Sequence, residues 1–262
     1  MKIGITGVKG FIGNQLAVRL SELGHDVYPI VGDIRDSETF MAIDYTYDYV
    51  YHFAAPSSQV QFKRASQFCI DSTIKGFMNV ADACDFNGVR LVYPSTGILS
   101  HGQTNEYARC KAICEDYAPT NSIGLRIFAT YGPQEAHKGD YASVPYLFAK
   151  DIVQGRQPLI FGSGEQVRDF IFIDDTVNSI ITLAEQCREK IVDIGSGTSL
   201  SFNNMLEMIY EITGKENNAI YIERPDNYVD ETHADTTLLN KFYVPKTELK
   251  TGLTKIIESI SH

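Results

Sequence analysis

The chain has 262 residues, 44% of them hydrophobic, and a formal net charge of -10. This length and apolar content allow a sizeable buried core, and the acidic balance argues against a nucleic-acid partner. A small anionic substrate would therefore need a local cationic pocket, which makes single arginine and lysine residues candidate ligands.

A glycine-spaced turn follows a short apolar strand at the start of the sequence. Residues 1–5 form the strand, and Gly7, Gly10 and Gly13 come next. Apolar residues then recur at helical spacing until Gly24 ends the run. Strand, turn and helix in this order predict a dinucleotide-binding turn, in which the pyrophosphate faces the helix N-terminus. Asp33 follows Gly13 at about the spacing at which an acid meets the adenosine ribose.

Further strand-like segments alternate with amphipathic stretches. This alternation predicts a parallel, doubly wound sheet of the Rossmann-like α/β class, with a smaller α/β C-terminal substrate lobe. We expect residues 1–130 to form the dinucleotide-binding domain, with 166–195 returning to it, and 131–165 and 196–262 to form the substrate lobe. The further predicted strands are 26–31, 49–54, 90–94, 122–129 and 191–194.

Tyr107 and Lys111 stand four positions apart, on one face of a predicted helix. A phenol with an ordinary pKa of about 10 is a poor base at neutral pH. We therefore expect the lysine ammonium, together with an oxidised nicotinamide, to lower the tyrosine pKa. Upstream, Ser95 and Thr96 end a buried strand where parallel sheets present residues to ligands. Thr96 is a candidate to hydrogen-bond the reacting oxygen, and Ser95 either shares this role or caps the turn.

The five cysteines are scattered along the chain. Cys110 and Cys114 lie one helical turn apart, but no other close Cys or His pair completes a metal site. We therefore expect reduced thiols, no bound metal and a cytoplasmic location. No apolar run is typical of a transmembrane span or a signal peptide, so no membrane partner is expected.

Four further stretches, 33–36, 52–55, 125–133 and 168–175, accompany the glycine turn and the Tyr/Lys pair. Together these motifs resemble the extended short-chain dehydrogenase/reductase family, specifically its nucleotide-sugar epimerase and dehydratase branch. The resemblance covers almost the whole chain. It implies NAD as cofactor, a nucleotide-diphosphate sugar as substrate, and a homodimer formed through the predicted helices within 62–87 and 106–117.

The resemblance also implies roles for individual residues. Tyr107 is the base or acid, Lys111 its partner and a cofactor-ribose ligand, and Thr96 the neighbouring hydroxyl. Besides Tyr107 and Lys111, the expected cofactor-binding residues are Gly7, Gly10, Phe11, Ile12, Asp33, Ile34, Phe53, Ala54 and Ala55. Besides Thr96, the expected substrate-binding residues are Tyr131, Arg168 and Arg224. We interpret His52 as a packed histidine without a catalytic role.

Departures from the family pattern narrow the reaction. Gly97 and Ile98 stand where dehydratases of this branch carry acidic proton carriers, which disfavours dehydration. What remains needs hydride transfer and one proton carrier. We expect C4 epimerisation of a UDP-sugar through a 4-keto intermediate, with an NAD(P)H-dependent 4-ketosugar reductase as the alternative. A catalytically silent NAD(P)-binding sensor would need neither Tyr107 nor Lys111.

Other departures leave questions open. Residues 27–33 leave no room for a separate third strand. If Asp33 matches the family's adenine-contacting aspartate, no ribose acid remains and the choice between NAD and NADP stays open. Ala129 stands where many epimerases carry Asn or Thr, and Thr73 stands where they often carry Asn. These positions therefore do not identify the sugar.

Overall fold

The computed structural model describes residues 1–40, 43–102, 105–225 and 228–261. Its largest sheet has six parallel strands in the order β2-β1-β3-β4-β5-β9. This arrangement confirms the expected Rossmann-like class. The strands are β1 (Lys2–Thr6), β2 (Asp26–Ile30), β3 (Tyr49–His52), β4 (Arg90–Thr96), β5 (Ser122–Ile127), β6 (Ala129–Tyr131), β7 (Leu159–Phe161), β8 (Val167–Phe172), β9 (Ile191–Ile194), β10 (Ser199–Ser201) and β11 (Ile220–Ile222).

Helices cover both faces of the large sheet and build most of the smaller lobe. α1 packs against α6, and α3 packs against α4. In the lobe, α5 packs against both α7 and α8. No helix in the described part of the chain is long and apolar enough to cross a membrane. The helices are α1 (Phe11–Glu22), α2 (Gln59–Arg64), α3 (Ser66–Asn87), α4 (Glu106–Tyr117), α5 (Val144–Val153), α6 (Ile173–Gln186), α7 (Phe202–Thr213) and α8 (Leu249–Ser261).

The large sheet ends at β2. Between β2 and β3 the described residues contain a short 3-10 helix, Ser37–Phe40, and no strand. This agrees with the expectation that the segment after β2 has no room for a separate third strand. The loop beginning at Asp33 therefore follows directly on the edge of the sheet.

The chain leaves the large sheet at Phe128. The predicted strand 122–129 is in fact two strands, because β5 pairs with β4 and β9 while β6 pairs with β8. The Phe128 N–H donates to the Ile194 carbonyl, 2.9 Å away, at the point of departure. β6, β8 and β10 form a three-stranded sheet, and β7 and β11 form a two-stranded sheet.

The two parts of the chain share one core. Buried residues of β1, α1, β5, β8, α6 and α7 belong to a single hydrophobic cluster. The strand β8, assigned above to the segment returning to the first domain, pairs with β6 and β10 in the smaller sheet. The following α6 and β9 lie against the first domain. This segment therefore contributes a strand to the lobe and a helix and a strand to the first domain.

Candidate active site

One cleft of about 640 Å³ lies between the large sheet and the smaller lobe. Residues of the glycine turn, including Gly10 and Phe11, line it. Tyr107, Lys111 and Arg168 line it as well. The fold therefore brings the glycine turn, the Tyr/Lys pair and one of the predicted arginines onto a single continuous surface.

The glycine turn is packed so closely that side chains are excluded. Gly7 has a φ of +74°, and a Cβ there would lie 2.5 Å from the Phe53 backbone carbon. A Cβ on Gly13 would lie 2.3 Å from the Gly7 carbonyl oxygen. Gly10 precedes α1, whose N-terminus has no side-chain cap among the described residues. Its first backbone N–H groups are therefore available to an anion, which fits the pyrophosphate of a dinucleotide.

A buried hydrogen-bond chain holds the strand end beside this turn. Thr6 Oγ1 lies 2.9 Å from His52 Nδ1 and accepts the Ala54 N–H at 3.1 Å. Burial lowers the pKa of His52 to about 3, so the imidazole is neutral at physiological pH. Nδ1 of the neutral His52 accepts a hydrogen bond from the Thr6 hydroxyl. His52 is therefore a packed histidine, as expected, and it fixes the backbone that leads to Ala55 in the cleft.

Asp33 lies outside this cleft, on a second, open depression that it shares with Arg35, Asp36, Ser37, Asp71 and Lys75. Its carboxylate accepts two hydrogen bonds from Arg35 Nε, at 2.9 and 3.1 Å. These contacts lower the pKa of Asp33 to about 2. The neighbouring Ile34 packs on Gly76 of α3, where a Cβ would lie 2.7 Å from its side chain. Asp33 is thus an ion-paired carboxylate, and a ribose or adenine contact from it stays a prediction.

Tyr107 and Thr96 are held together beneath the cleft. Asn105 caps α4 by accepting the Ala108 N–H at 2.9 Å, which fixes the turn that carries Tyr107. The phenol is almost fully buried, and the nearby Thr96 hydroxyl favours its ionised form. Burial raises the pKa of Tyr107 to about 12, while the bond from Thr96 opposes this rise.

The protein by itself holds the Tyr107 pKa above its ordinary value, and the lowering expected from Lys111 together with an oxidised nicotinamide stays a prediction. The Lys111 ammonium donates to the Pro94 carbonyl at 2.9 Å. The causes of the Tyr107 shift are burial, Thr96 and Cys114, without Lys111. Desolvation dominates because the whole pair is buried, and it also lowers the pKa of Lys111.

Ser95 does not point to the reacting phenol. Its hydroxyl donates to Glu115, which also accepts Arg126 Nε at 2.9 Å and Nη2 at 2.8 Å. Neither expected role is observed for Ser95, and the turn is instead capped by Thr96, whose hydroxyl accepts the Ile98 N–H at 3.4 Å. A Cβ on Gly97 would lie 2.7 Å from the Phe128 ring, so this position has no room for an acidic side chain.

The far end of the cleft is built around Arg168. Its guanidinium carbon lies 5.5 Å from the ring centroids of both Phe202 and Tyr228. Nη1 donates to the carbonyls of Val167 at 2.7 Å and Asp230 at 3.2 Å. Burial lowers the pKa of Arg168, but an arginine remains charged in proteins. The two rings hold a planar cation that suits a phosphate group.

Of the four predicted substrate ligands, Arg168 lines this cleft, whereas Thr96, Tyr131 and Arg224 do not. Arg224 lies 5.8 Å from the Tyr228 ring and is ion-paired with Asp230 on an exposed surface. The prediction for Tyr131 is wrong. Its side chain is 1% exposed and lies against α8, where a Cβ on Gly252 would be 2.2 Å from its hydroxyl. The alternation of β6 turns it into the core of the lobe.

Several residues that line the cleft were not predicted. Ser57, Ser58 and Gln61 approach from the loop after β3, and His137 and Lys138 approach from the loop after β6. Ser57 and Ser58 lie in a loop, while Gln61 lies in the short helix α2 and His137 and Lys138 in a short 3-10 helix. Segments this short have no periodicity that shows which side chains face a ligand. The only available signal was their position directly after the matched stretches 52–55 and 125–133.

Comparison with known proteins identifies the family. A model described as the NAD dependent epimerase/dehydratase family matches residues 3–195. The chain therefore belongs to the NAD-dependent epimerase/dehydratase family. The expected family and cofactor are confirmed, and the glycine turn described above fits NAD.

Individual relatives share the whole architecture at low identity. A putative UDP-glucose 4-epimerase of Methanocaldococcus jannaschii is 23% identical, with 97% of this chain and 96% of that protein aligned. The structure of UDP-glucose 4-epimerase from Thermotoga maritima with UDP-glucose is 24% identical and gives a TM-score of 0.91, with 99% of this chain and 98% of that chain covered. That of the Thermus thermophilus UDP-glucose 4-epimerase complex with NAD is 20% identical and gives 0.87, with 99% of both chains covered. These similarities show a common fold.

Proposed function

We propose that this protein is an NAD-dependent nucleotide-sugar epimerase that inverts C4 of a UDP-sugar through a 4-keto intermediate. The observation that carries the proposal is that Tyr107 lines one continuous cleft together with the glycine turn and Arg168. A proton carrier in the same cleft as two phosphate-binding groups suits a nucleotide sugar bound beside the cofactor. The names of the relatives support UDP as the nucleotide carrier.

The chain itself supplies proton transfer and positioning. When bound, NAD supplies the hydride acceptor and donor, and in its oxidised form a positive charge. Tyr107 takes the proton from the C4 hydroxyl and returns it to the same oxygen when the sugar is reduced on its other face. Thr96 donates a hydrogen bond that favours the phenolate. Lys111 is held by the Pro94 carbonyl beside this pair and is the proposed ribose ligand.

The form of the cleft supports turnover of the intermediate within the site. Inversion requires the 4-keto sugar to present its opposite face without leaving. Ala55 and Ala129 line the cleft with small side chains, which leaves room for this rotation. We propose that Arg168 retains the nucleotide diphosphate during the rotation, with Arg224 as a second ligand reached from the exposed side of Tyr228.

The alternative is a 4-ketosugar reductase, which uses the same residues for the return half of the reaction. Dehydration is less well supported, because Gly97 is packed against Phe128 and Ile98 packs in an apolar cluster with Phe62, leaving no acid at either position. A silent sensor is also less well supported, since it would need neither Tyr107 nor Lys111, and both line the cleft.

The first test is to denature the purified protein, identify any released nucleotide by mass, and assay UDP-glucose and UDP-GlcNAc without added cofactor. We expect stoichiometric NAD and interconversion of at least one sugar pair with its C4 epimer. Activity only with added NADPH and a keto sugar would instead establish the reductase. In the same assays, Tyr107→Phe should lose turnover. Its matched control is Tyr221→Phe, which removes an exposed tyrosine hydroxyl outside the cleft and should leave turnover unchanged.

We also propose a cytoplasmic homodimer. Phe68 and Phe86 of α3 and Ile113 of α4 are large hydrophobic residues that are exposed on the helix pair, as expected where a second copy covers it. The five cysteines are all buried and free, which supports a reducing compartment. Light scattering of the purified protein tests the dimer: a monomeric mass at micromolar concentration would contradict it.

A further inference from the structure

The main cleft is electropositive although the chain is strongly acidic. Three Lys and Arg residues line it, Lys111, Lys138 and Arg168, and no Asp or Glu is found among the described residues that line it. The whole chain carries a net charge of -10. Cations concentrated in one cleft of such a protein indicate anionic ligands there.

Two of these cations already have a place in the proposed reaction. Lys111 lies beside Tyr107 and donates to the Pro94 carbonyl. Arg168 lies between two aromatic rings at the far end. Lys138 has no such assignment, and its ammonium nitrogen lies 5.0 Å from the centroid of the Phe11 ring. Phe11 is the first residue of α1, so this ammonium lies against the side chain that begins this helix.

A buried carboxylate holds Lys138 in this place. Glu135 is fully buried, and its Oε2 accepts the Lys138 ammonium at 2.7 Å and the Ser143 N–H at 2.7 Å. Its Oε1 accepts the Gly132 N–H at 3.2 Å and the Ser143 hydroxyl at 2.6 Å. Both ends of the loop are therefore tied to one carboxylate, which restricts the position of the lysine. An ammonium has three donors, so two remain for a ligand.

We propose that Lys138 binds the diphosphate of NAD from the lobe side of the cleft, opposite the N–H groups of α1, and that Glu135 is its positioning residue. The diphosphate is then held between backbone donors on one wall and an ammonium on the other. This pairing of a helix N-terminus with a cation is favourable for a doubly charged group. The assignment rests on the proposed function in one respect, that a nucleotide sugar with a second diphosphate occupies the end at Arg168.

Binding measurements separate the two diphosphates. We expect Lys138→Gln to bind NADH and ADP-ribose about tenfold more weakly than the parent protein, which corresponds to about 1.4 kcal/mol. Binding of adenosine, which has no phosphate, and of UDP should be unchanged. Lys138→Arg, which keeps the charge, should restore most of the affinity. Lys250→Gln, which removes an exposed lysine charge paired with Glu211 outside the cleft, is the matched control.

Unchanged NADH and ADP-ribose binding in Lys138→Gln would overturn the proposal, and so would a loss confined to UDP, which would assign Lys138 to the substrate diphosphate. For Glu135→Gln, the positioning role predicts weaker NADH binding with UDP binding preserved, whereas a merely structural role would weaken both. These readouts do not require turnover. If the parent protein epimerised no sugar while Lys138→Gln still bound NADH more weakly, the proposed function would be contradicted and the role of Lys138 would stand.

Discussion

The two ends of the cleft are built by different means. The end at the glycine turn is formed by contiguous backbone, where Gly7 and Gly13 approach each other too closely for side chains. The end at Arg168 is formed by side chains from separate segments, with Phe202 and Tyr228 holding the guanidinium. Recognition by backbone groups requires glycine at fixed positions, and the spacing of these glycines is visible in the sequence. Recognition by assembled side chains depends on how the lobe folds.

The largest effect should come from Tyr107→Phe, because the phenol is the proposed proton carrier. We expect turnover to fall by about 10²- to 10⁴-fold, the range of a lost general acid or base. NAD content and UDP affinity should be unchanged, since the phenyl ring still fills the buried site. Steady-state kinetics measure turnover, nucleotide release measures NAD content, and titration measures UDP affinity. Turnover equal to that of the parent would refute the mechanism.

Gly13→Ala tests the end made of backbone. The added Cβ would lie 2.3 Å from the Gly7 carbonyl oxygen, so the turn must shift. Such overpacking costs about 1–3 kcal/mol, and we expect NADH affinity to fall at least tenfold while UDP binding changes little. Calorimetric titration of each ligand measures the split, with Ser21→Ala on the exposed side of α1 as control. Equal losses of both affinities would show that the two ends are not independent.

Arg168→Gln tests the end made of side chains, with the opposite expected split. Loss of a charged hydrogen bond costs about 1.5–3 kcal/mol, so the KM for the nucleotide sugar should rise tenfold to about a hundredfold. NADH affinity should not change. Arg156→Gln removes an exposed arginine paired with Asp151 and serves as control. A normal KM in Arg168→Gln would remove this residue from the substrate site.

Thr96→Val should have the smallest effect and is best detected in the pH profile. Burial holds the pKa of Tyr107 at about 12, and the bond from Thr96 lowers it. Without this bond the pKa rises, the phenolate fraction at a given pH falls, and the rise of kcat/KM with pH moves to higher pH. One neutral hydrogen bond is worth about 0.5–1.5 kcal/mol, so we expect up to about a tenfold loss at pH 7.

The same profile measured for Thr254→Val, a change on the exposed face of α8, should match that of the parent. A shift of the Thr96→Val profile to lower pH, or no shift, would show that Thr96 does not stabilise the phenolate.

The elements that carry local signals could be predicted from the sequence. The helix Glu106–Tyr117 has the predicted bounds, because Asn105 caps its start and the chain becomes extended after Tyr117. The glycine turn and the strand Ile191–Ile194 are also where the pattern placed them. In each case the physical cause is contained within a few neighbouring residues.

Features that depend on distant packing were missed. The run from β5 into β6 reads as one apolar strand, yet the chain changes sheets at Phe128, where the backbone bonds to Ile194. Tyr131 was assigned to the substrate because period-two alternation does not show which layer lies on which side of a strand. Lys138 was missed because its position depends on Glu135, and a buried carboxylate inside a loop has no periodic signature.

The early end of the large sheet at β2 also has a consequence for aggregation. A strand at the margin of a sheet offers unpaired backbone groups to neighbouring molecules, and long flat margins promote fibre-like assembly. β2 contains Pro29, in register with Ile5 of β1. Proline lacks a backbone N–H and interrupts the row of donors. Pro29 therefore makes the margin of the shortened sheet a poor template for a further strand.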